Sequence, residues 1–477
     1  MAAVFAPLKE RQTQAQPAIA QTLAQFAAGF GYDAIPQRVR ERAKYLMLDA
    51  LGIAYASTRF DFAQRSFAAA AELSAIEGAG ESAVFGFSTR LKLRDAVLLN
   101  AILVHGLDFD DTHVPGVIHA TASSFPLSLN LAAQLGRSGK DLLTAYVLGV
   151  EISSRLGSVA QGGFHQVGFH PTGLIGTFGC ILAAGYLHGM SAAQMTMAQG
   201  IGLSVAAGSL EFLEDGSWTK RMHPGWAGVA AITANALARH GFVGPQGAYE
   251  GRFGLFPSHL GSHAAQCDYG LATKGLGKEW EIDQIAVKPF PACHFTHGCA
   301  DAAIAIRNQG VKAADIQHVR AKVAQEVVKT VCEPVANKRR PANEYDAKFS
   351  IPYIVASSLI HGKFGLAELE ESALRDPVTL ALADKVDYET DPASGFPQYY
   401  SGEVIVTLKD GHEVSHREQV NRGAGDRPIS NDEIVAKFMD NAMQAVSRAR
   451  AEELRDALLL MEDFDATADL ANVLAGR

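Results

Sequence analysis

The 477-residue chain is short of charge: Asp, Glu, Lys and Arg make up 19% of it, below the roughly 25% usual in soluble domains. A chain this long, 48% hydrophobic and poor in charge, buries a large core, which excludes disorder for most of its length. A basic excess is also lacking. The 42 Lys and Arg face 51 Asp and Glu, a net charge of −9, so a nucleic-acid surface is not expected. Cysteines are few and odd in number: Cys180, Cys267, Cys293, Cys299 and Cys332, with no Cys-x-x-Cys pair. That excludes a disulfide framework and reads as reduced thiols in a cytoplasmic protein. Nucleotide signatures are missing too. Gly275-Leu-Gly277 has no third glycine, and there is neither a phosphate loop nor a Gly-x-Ser-x-Gly nucleophile elbow. Cofactor-free acid–base chemistry fits what remains. Met1 to Gln21 carries Lys9, Glu10 and Arg11 and has no apolar run of leader length, so no secretory leader is expected.

Charge is absent altogether from Leu156 to Leu210. Gln161, Gln166, His170, His188, Gln194 and Gln199 interrupt this stretch, and Gly173, Gly176 and Gly179 suit close helix packing. It is expected to form soluble core, not a membrane span.

What is present reads as mainly α. Apolar residues recur at helical spacing over 18–57 (two helices), 93–107, 122–136, 139–156, 171–188, 191–208 and 224–240. The character changes near Gly275. Trp280 to Val287 and Ile316 to Val328 alternate loosely as strands, Ser350 to His361 reads as a helix, and Gly402 to Leu408 pairs with Glu413 to His416 through Lys409-Asp-Gly411. Ser430-Asn-Asp-Glu433 is a capping box that returns the chain to helix. The expected architecture is a large all-helical domain built from both chain ends (1–275 and 419–477) with a smaller inserted α+β lid domain (276–418).

Four clusters could carry chemistry, each in a Gly- or Pro-rich segment on a helical scaffold. The first runs from His105 through Asp108, Asp110, Asp111, Thr112 and His113 to His119. If the preceding helix continues for one turn, Asp108 and Thr112 share a face, and an Asp beside a His suits proton transfer. The competing readings are a solvated acidic helix end and a Mg²⁺ site; the latter needs another carboxylate where Val114 and Pro115 stand. The second, Gly163-Phe-His165 to His170-Pro171, places His170 at a helix start; it lacks the carboxylate of a zinc signature. The third, Thr219-Lys220-Arg221-Met222-His223, offers Lys220 to a carboxylate, or is an exposed loop. The fourth, Lys288 to Cys299, contains Cys293, His294 and His297. No second, separated ligand pair supports zinc there. The residues are either buried thiols with satisfied histidines or side chains facing the first domain across a cleft. Lys338-Arg339-Arg340 reads equally as carboxylate forks or as a surface charge run.

Together these pieces resemble the MmgE/PrpD family, which includes 2-methylcitrate dehydratase, cis-aconitate decarboxylase and iminodisuccinate epimerase. The matching residues are Asn100, His105-x-x-Asp108 to Thr112, Gly168-Phe-His170-Pro171, Thr219-Lys220-x-x-His223, Lys288-Pro-Phe-Pro291 with Thr296-His297, Ala347 to Ser350 and Ala436-Lys437-Phe438. The resemblance implies a helical domain with an α+β lid, a homodimer, and a site without metal or cofactor in the cleft between domains. Carried over by match, that site contains Asp108, Thr112, His119, His170, Lys220 and Lys288. Two features depart from the decarboxylase branch: a Thr112–His119 loop one residue longer, and Cys293, followed by His294, where that branch places a histidine.

The expectation is a lyase of the 2-methylcitrate dehydratase type acting on a small di- or tricarboxylate, with neither nucleic acid nor membrane as partner. His119 acts as base, oriented by Asp108, and His170 as acid, with the two roles interchangeable. Lys220 and Lys288 stabilise developing charge, and Cys293, His294 and His297 bind substrate. Epimerisation of a dicarboxylate is the alternative, then decarboxylation. An inactive helical binding or assembly protein is the reading from a different class.

Overall fold

The computed structural model describes residues 17–476, so the stretch read for a leader up to Arg11 lies outside the described residues. Helices dominate and the sheets are small, as the apolar periodicity requires. Helices α1 (Ile19–Gly29), α2 (Gln37–Ser57) and α3 (Asp61–Ile76) lead to a hairpin of β1 (Ser82–Val84) and β2 (Phe87–Leu91). Neither α3 nor the hairpin is marked by the sequence pattern. Next come α4 (Leu93–His105), the two-residue strand β3 (Thr112–His113), α5 (Ala120–Gln134), α6 (Gly139–Val159), α7 (Gly163–Gln166), α8 (Pro171–Leu187), α9 (Ala192–Leu203), α10 (Phe212–Asp215) and α11 (Thr219–Arg239).

The stops and starts are local chemistry. Ser138 and Asp141 form a capping box at α6, Ser191 and Gln194 another at α9, and Pro171 occupies the first turn of α8. Helix α8 is sealed on nearly every face by α5, α6 and α11, which accounts for its missing charge. Glycine is required for that approach: a Cβ on Gly179 would lie 2.0 Å from Ser153 Oγ and 2.3 Å from the Gly149 carbonyl oxygen. No helix among the described residues is long and apolar enough to cross a membrane.

Two large hydrophobic cores result. The first joins α1 to α9 and α11 to the C-terminal segments through Ile434, Phe438, Leu454, Leu458 and Leu470. Ser430 and Glu433 make the capping box that opens this return at Asn431–Ala442. The second core surrounds a four-stranded sheet ordered β6-β5-β7-β8, with β5 (Ile316–Val323), β6 (Val386–Thr390), β7 (Gly402–Leu408) and β8 (Glu413–Glu418). Only the β5–β6 pair is parallel. The helices His297–Asn308 and Ile351–His361 pack in this second body.

Three expectations are corrected. Trp280 to Val287 is not one strand: a 3-10 turn, Glu281–Gln284, precedes the two-residue strand β4 (Ile285–Ala286), which pairs with β3. Trp280, Ile282, Ile285 and Val287 are all buried in the first core, so their spacing reflects burial of an irregular segment. Helix α11 starts at Thr219, a turn before Pro224, so Lys220 sits in its first turn and not in a loop. Helix α4 ends at His105, and Asp108 takes a left-handed backbone with φ of 52°, so Asp108 and Thr112 do not share a helical face.

Candidate active site

The loop between α4 and α5 forms the floor of a cavity where the two cores meet. Lys348 Nζ donates to the Leu107 carbonyl oxygen at 2.8 Å, and Lys437 Nζ to that of Phe109 at 2.8 Å. Cations from the second core and from the C-terminal return thus pin the loop. Asp108 and Val117 both have left-handed backbones; for β-branched Val117, φ of 53° is strained, a feature that concentrates at functional sites.

The cavity is lined by polar and ionisable groups from distant segments: Asp108, Thr112 and His119 of the floor, His165, His170, Lys220, Cys293 and His294. Val117, Leu210, Phe212, Leu213, Phe295, Phe349, Thr330 and Tyr400 complete the wall. Its open space is about 30 Å³, room for one or two waters.

Asp108 is fully buried and holds two ammonium groups on one oxygen: Lys220 Nζ donates to Oδ1 at 2.7 Å and Lys288 Nζ at 2.9 Å. Lys288 also donates to the Asp108 carbonyl oxygen at 2.9 Å, and Asp108 Oδ2 has no hydrogen-bond partner among the described residues. Desolvation alone would raise this carboxyl; Lys220 and Lys288 outweigh it and hold it well below the usual range. For Lys288 desolvation pulls downward, but Asp108 wins and raises it. Lys220 additionally lies over the Phe349 ring, 4.8 Å from its centroid.

Three imidazoles converge beside this triad. Ring centroids are 4.8 Å apart for His105 and His119, 5.6 Å for His105 and His170, and 6.0 Å for His119 and His170. Each Nδ1 is occupied: His105 by Asp110 Oδ2 at 2.8 Å, His119 by the Asp111 carbonyl oxygen at 2.6 Å, and His170 by His223 Nδ1 at 2.9 Å. A carbonyl only accepts, so His119 carries its proton on Nδ1 and keeps a bare Nε2. Desolvation, aided by Lys288 at His119 and by His223 and Lys220 at His170, drives both well below the ordinary histidine value, so both are neutral. Desolvation also pushes Asp111 up to about 7, although Thr121 Oγ1 donates to it.

The structure therefore brings Asp108, Thr112, His119, His170, Lys220, Cys293 and His294 to one cavity, with Lys288 directly beneath through Asp108. His297 does not line it: its Nε2 donates to the Ala292 carbonyl oxygen at 3.2 Å and its ring packs on Phe290. The orientation of His119 is also corrected. Asp108 is taken by lysines, and the Asp111 carbonyl and Thr112 Oγ1 (3.3 Å) hold the ring. Cys293 is no ready nucleophile, because desolvation raises its thiol to about 11. Arg339 and Arg340 make peripheral pairs with Asp387 and Asp384, whereas Lys338 is buried. Sequence reasoning named His105, His165 and His223 inside the motifs without assigning them to the site. Phe349 was named only within the Ala347 to Ser350 match, and Thr330 and Tyr400 carried no signal beyond a lone hydroxyl.

A metal could be held by His105, His119 and His170, whose ligand atoms lie within 4.8 Å of one another. The two ammonium groups beside them suit an anion better than a dication.

The features together define a mainly helical protein that closes an ionisable cavity between two hydrophobic cores. The chain belongs to the MmgE/PrpD family: the MmgE/PrpD N-terminal domain matches residues 21–268 and the MmgE/PrpD C-terminal domain residues 290–463. It is 28% identical to cis-aconitate decarboxylase of Homo sapiens, over 96% of this chain and 95% of that protein. The corresponding figures are 27%, 96% and 93% for cis-aconitate decarboxylase of Mus musculus, and 24%, 97% and 97% for that of Aspergillus terreus.

Proposed function

We propose that this protein is a cofactor-independent lyase of the 2-methylcitrate dehydratase type, removing water from a small di- or tricarboxylate. The observation that carries the reading is the convergence of two neutral imidazoles, His119 and His170, with Lys220 and the Asp108–Lys288 pair in one water-poor cavity. The bare Nε2 of His119 takes a proton from carbon next to a carboxylate. Lys220 binds that carboxylate and stabilises the charge that develops on it, which a fixed cation does best in a dry site. His170 donates a proton to the departing hydroxide. An anion in the cavity offsets the lysine charge that depresses His119, so substrate binding itself makes the base stronger. The cavity is too small for a tricarboxylate as it stands, so the second body opens as a lid to admit substrate.

Decarboxylation is the second reading, supported by relatives named cis-aconitate decarboxylase that align over nearly the whole chain. Cys293, in the cavity wall, and the longer Thr112–His119 loop count against decarboxylation but do not select between dehydration and epimerisation. Epimerisation uses the same carbanion, reprotonated on its other face. The test is incubation with 2-methylcitrate, citrate, cis-aconitate and iminodisuccinate in deuterated water. Alkene absorbance with no CO₂ supports the dehydratase. CO₂ release supports the decarboxylase, and washed-in deuterium without alkene the epimerase.

The partner proposed is a second copy of the chain. Trp218 at the start of α11 and Met222 and Trp226 along it form one exposed apolar stripe at four-residue spacing, with Leu73 and Ile76 of α3 also exposed. Light scattering of the wild type and of Met222→Glu checks this: a dimer mass that falls in the variant supports it. Five unpaired cysteines are in keeping with a reducing, cytoplasmic compartment.

A further inference from the structure

We infer that His223 is a positioning residue that relays protons between His170 and the outside of the cavity, and so sets which nitrogen of His170 carries the proton. The inference rests on the acid–base reading above.

The geometry is specific. His170 Nδ1 and His223 Nδ1 stand 2.9 Å apart with their rings inclined at 43°. Two neutral imidazoles can share such a bond only if one Nδ1 bears a proton and the other does not, so their tautomers are opposite and coupled. Both rings are neutral: burial lowers His170 well below the ordinary value and His223 to about 4, with His105 and Lys220 adding to it at His223. His170 lines the cavity and is 1% exposed; His223 stays outside the lining and is 7% exposed. The pair therefore leads from the reacting volume outward. Small residues make room for it, since a Cβ on Gly173 would come within 2.9 Å of the His223 Cβ. Phe212 packs edge-on against both rings and excludes other hydrogen-bond partners from that side. The Nε2 of His223 takes no protein partner among the described residues, which leaves it free to exchange with water.

The proton count closes. As the carbon–oxygen bond breaks, His170 gives its Nε2 proton to the leaving hydroxide and water forms. The Nδ1 proton of His223 crosses to Nδ1 of His170, and Nε2 of His223 takes a proton from solvent. All rings on this path remain neutral. The reverse shift resets the pair: the proton that His119 took from carbon passes to His170 Nε2, the His170 Nδ1 proton returns to His223, and His223 releases its Nε2 proton to water.

The experiment has two arms. In the first, long-range proton–nitrogen spectra of protein labelled with nitrogen-15 histidine read the tautomers in the resting enzyme, with no need of turnover. One ring protonated at Nδ1 and its partner at Nε2 is expected; the same tautomer in both overturns the inference, whatever the substrate proves to be. In the second, kinetics on the turned-over carboxylate compare wild type, His223→Ala and His223→Asn, each checked for native circular dichroism. His223→Ala is expected to lower kcat about 10- to 100-fold with KM within about twofold, and added imidazole to restore part of the loss. His223→Asn keeps a donor near the Nδ1 position but cannot relay, so its kcat stays low. Wild-type kcat in either variant, or a loss confined to KM, overturns the relay. A wild type that turns over no carboxylate contradicts the proposed function instead, and the spectra still decide the coupling.

Discussion

Helices α5 and α8 and the cavity next to them are equally shut off from water, yet they are filled by opposite means. Neither α5 nor α8 contains an Asp, Glu, Lys or Arg, and their contacts with α6 are made by Gly, Ala and Ser at backbone distance. The cavity and the segments directly around it hold Asp108, Asp110, Asp111, Lys220 and Lys288, all buried. Every buried charge has a desolvation cost that pairing only partly offsets, and an apolar replacement of similar volume is often the more stable choice. A fold able to pack α8 without a single charge does not need two ammonium groups on one carboxylate for stability. Their presence marks the cavity as the place where function sets the composition.

The comparison can be broken most severely at Asp108. Asp108→Ala leaves Lys220 and Lys288 unpaired in the interior, an uncompensated charge that costs about 3–5 kcal/mol. Activity is expected to vanish, and denaturant titration should show the loss of stability. Lys220→Ala is milder. Asp108 keeps Lys288, so the fold survives, while substrate binding and charge stabilisation are both lost; steady-state kinetics should show KM raised and kcat lowered. Unchanged kinetics would remove Lys220 from the site.

The opposite result is expected in the core. Gly179→Ala forces a methyl group against Ser153 and the Gly149 carbonyl and should cost about 1–3 kcal/mol in thermal or denaturant unfolding. Because Gly179 touches nothing in the cavity, kcat per folded molecule should stay within about twofold. A further effect depends on pH. Asp111 ionises near its ordinary 3.8 when unfolded, but burial raises it to about 7 in the fold. Folding therefore bears a cost that grows from about pH 4 to about pH 7 and is complete above that. Asp111→Asn removes it, so the gain in Tm over wild type should be larger at pH 8 than at pH 5.

The same contrast explains what could be read from the residues. Helix α8 was legible because its uncharged run and Pro171 start have a single physical meaning. Residues His119, His170, Lys220 and Asp108 were legible as a group because they sit in Gly- and Pro-rich segments beside apolar helices. Their partnerships were not. The assignment of Asp108 to His119 came from proximity in sequence, whereas Asp108 meets Lys220 and Lys288 from 112 and 180 residues away. The apolar spacing reads as a helix over 224–240, but the first turn of α11 lies before Pro224 and carries Lys220 inward. The coupling of His170 to His223 spans 53 residues and depends on helix packing that no local pattern records.

The most direct test of the central claim, that these imidazoles and ammonium groups act unaided on a carbon acid, is proton NMR of 2-methylcitrate with wild type and His119→Gln in deuterated water. The account predicts alkene signals from the wild type and a rate about 10²- to 10⁴-fold lower from the variant at similar KM. Equal rates from the two proteins, or no change in the substrate with the wild type, would contradict it.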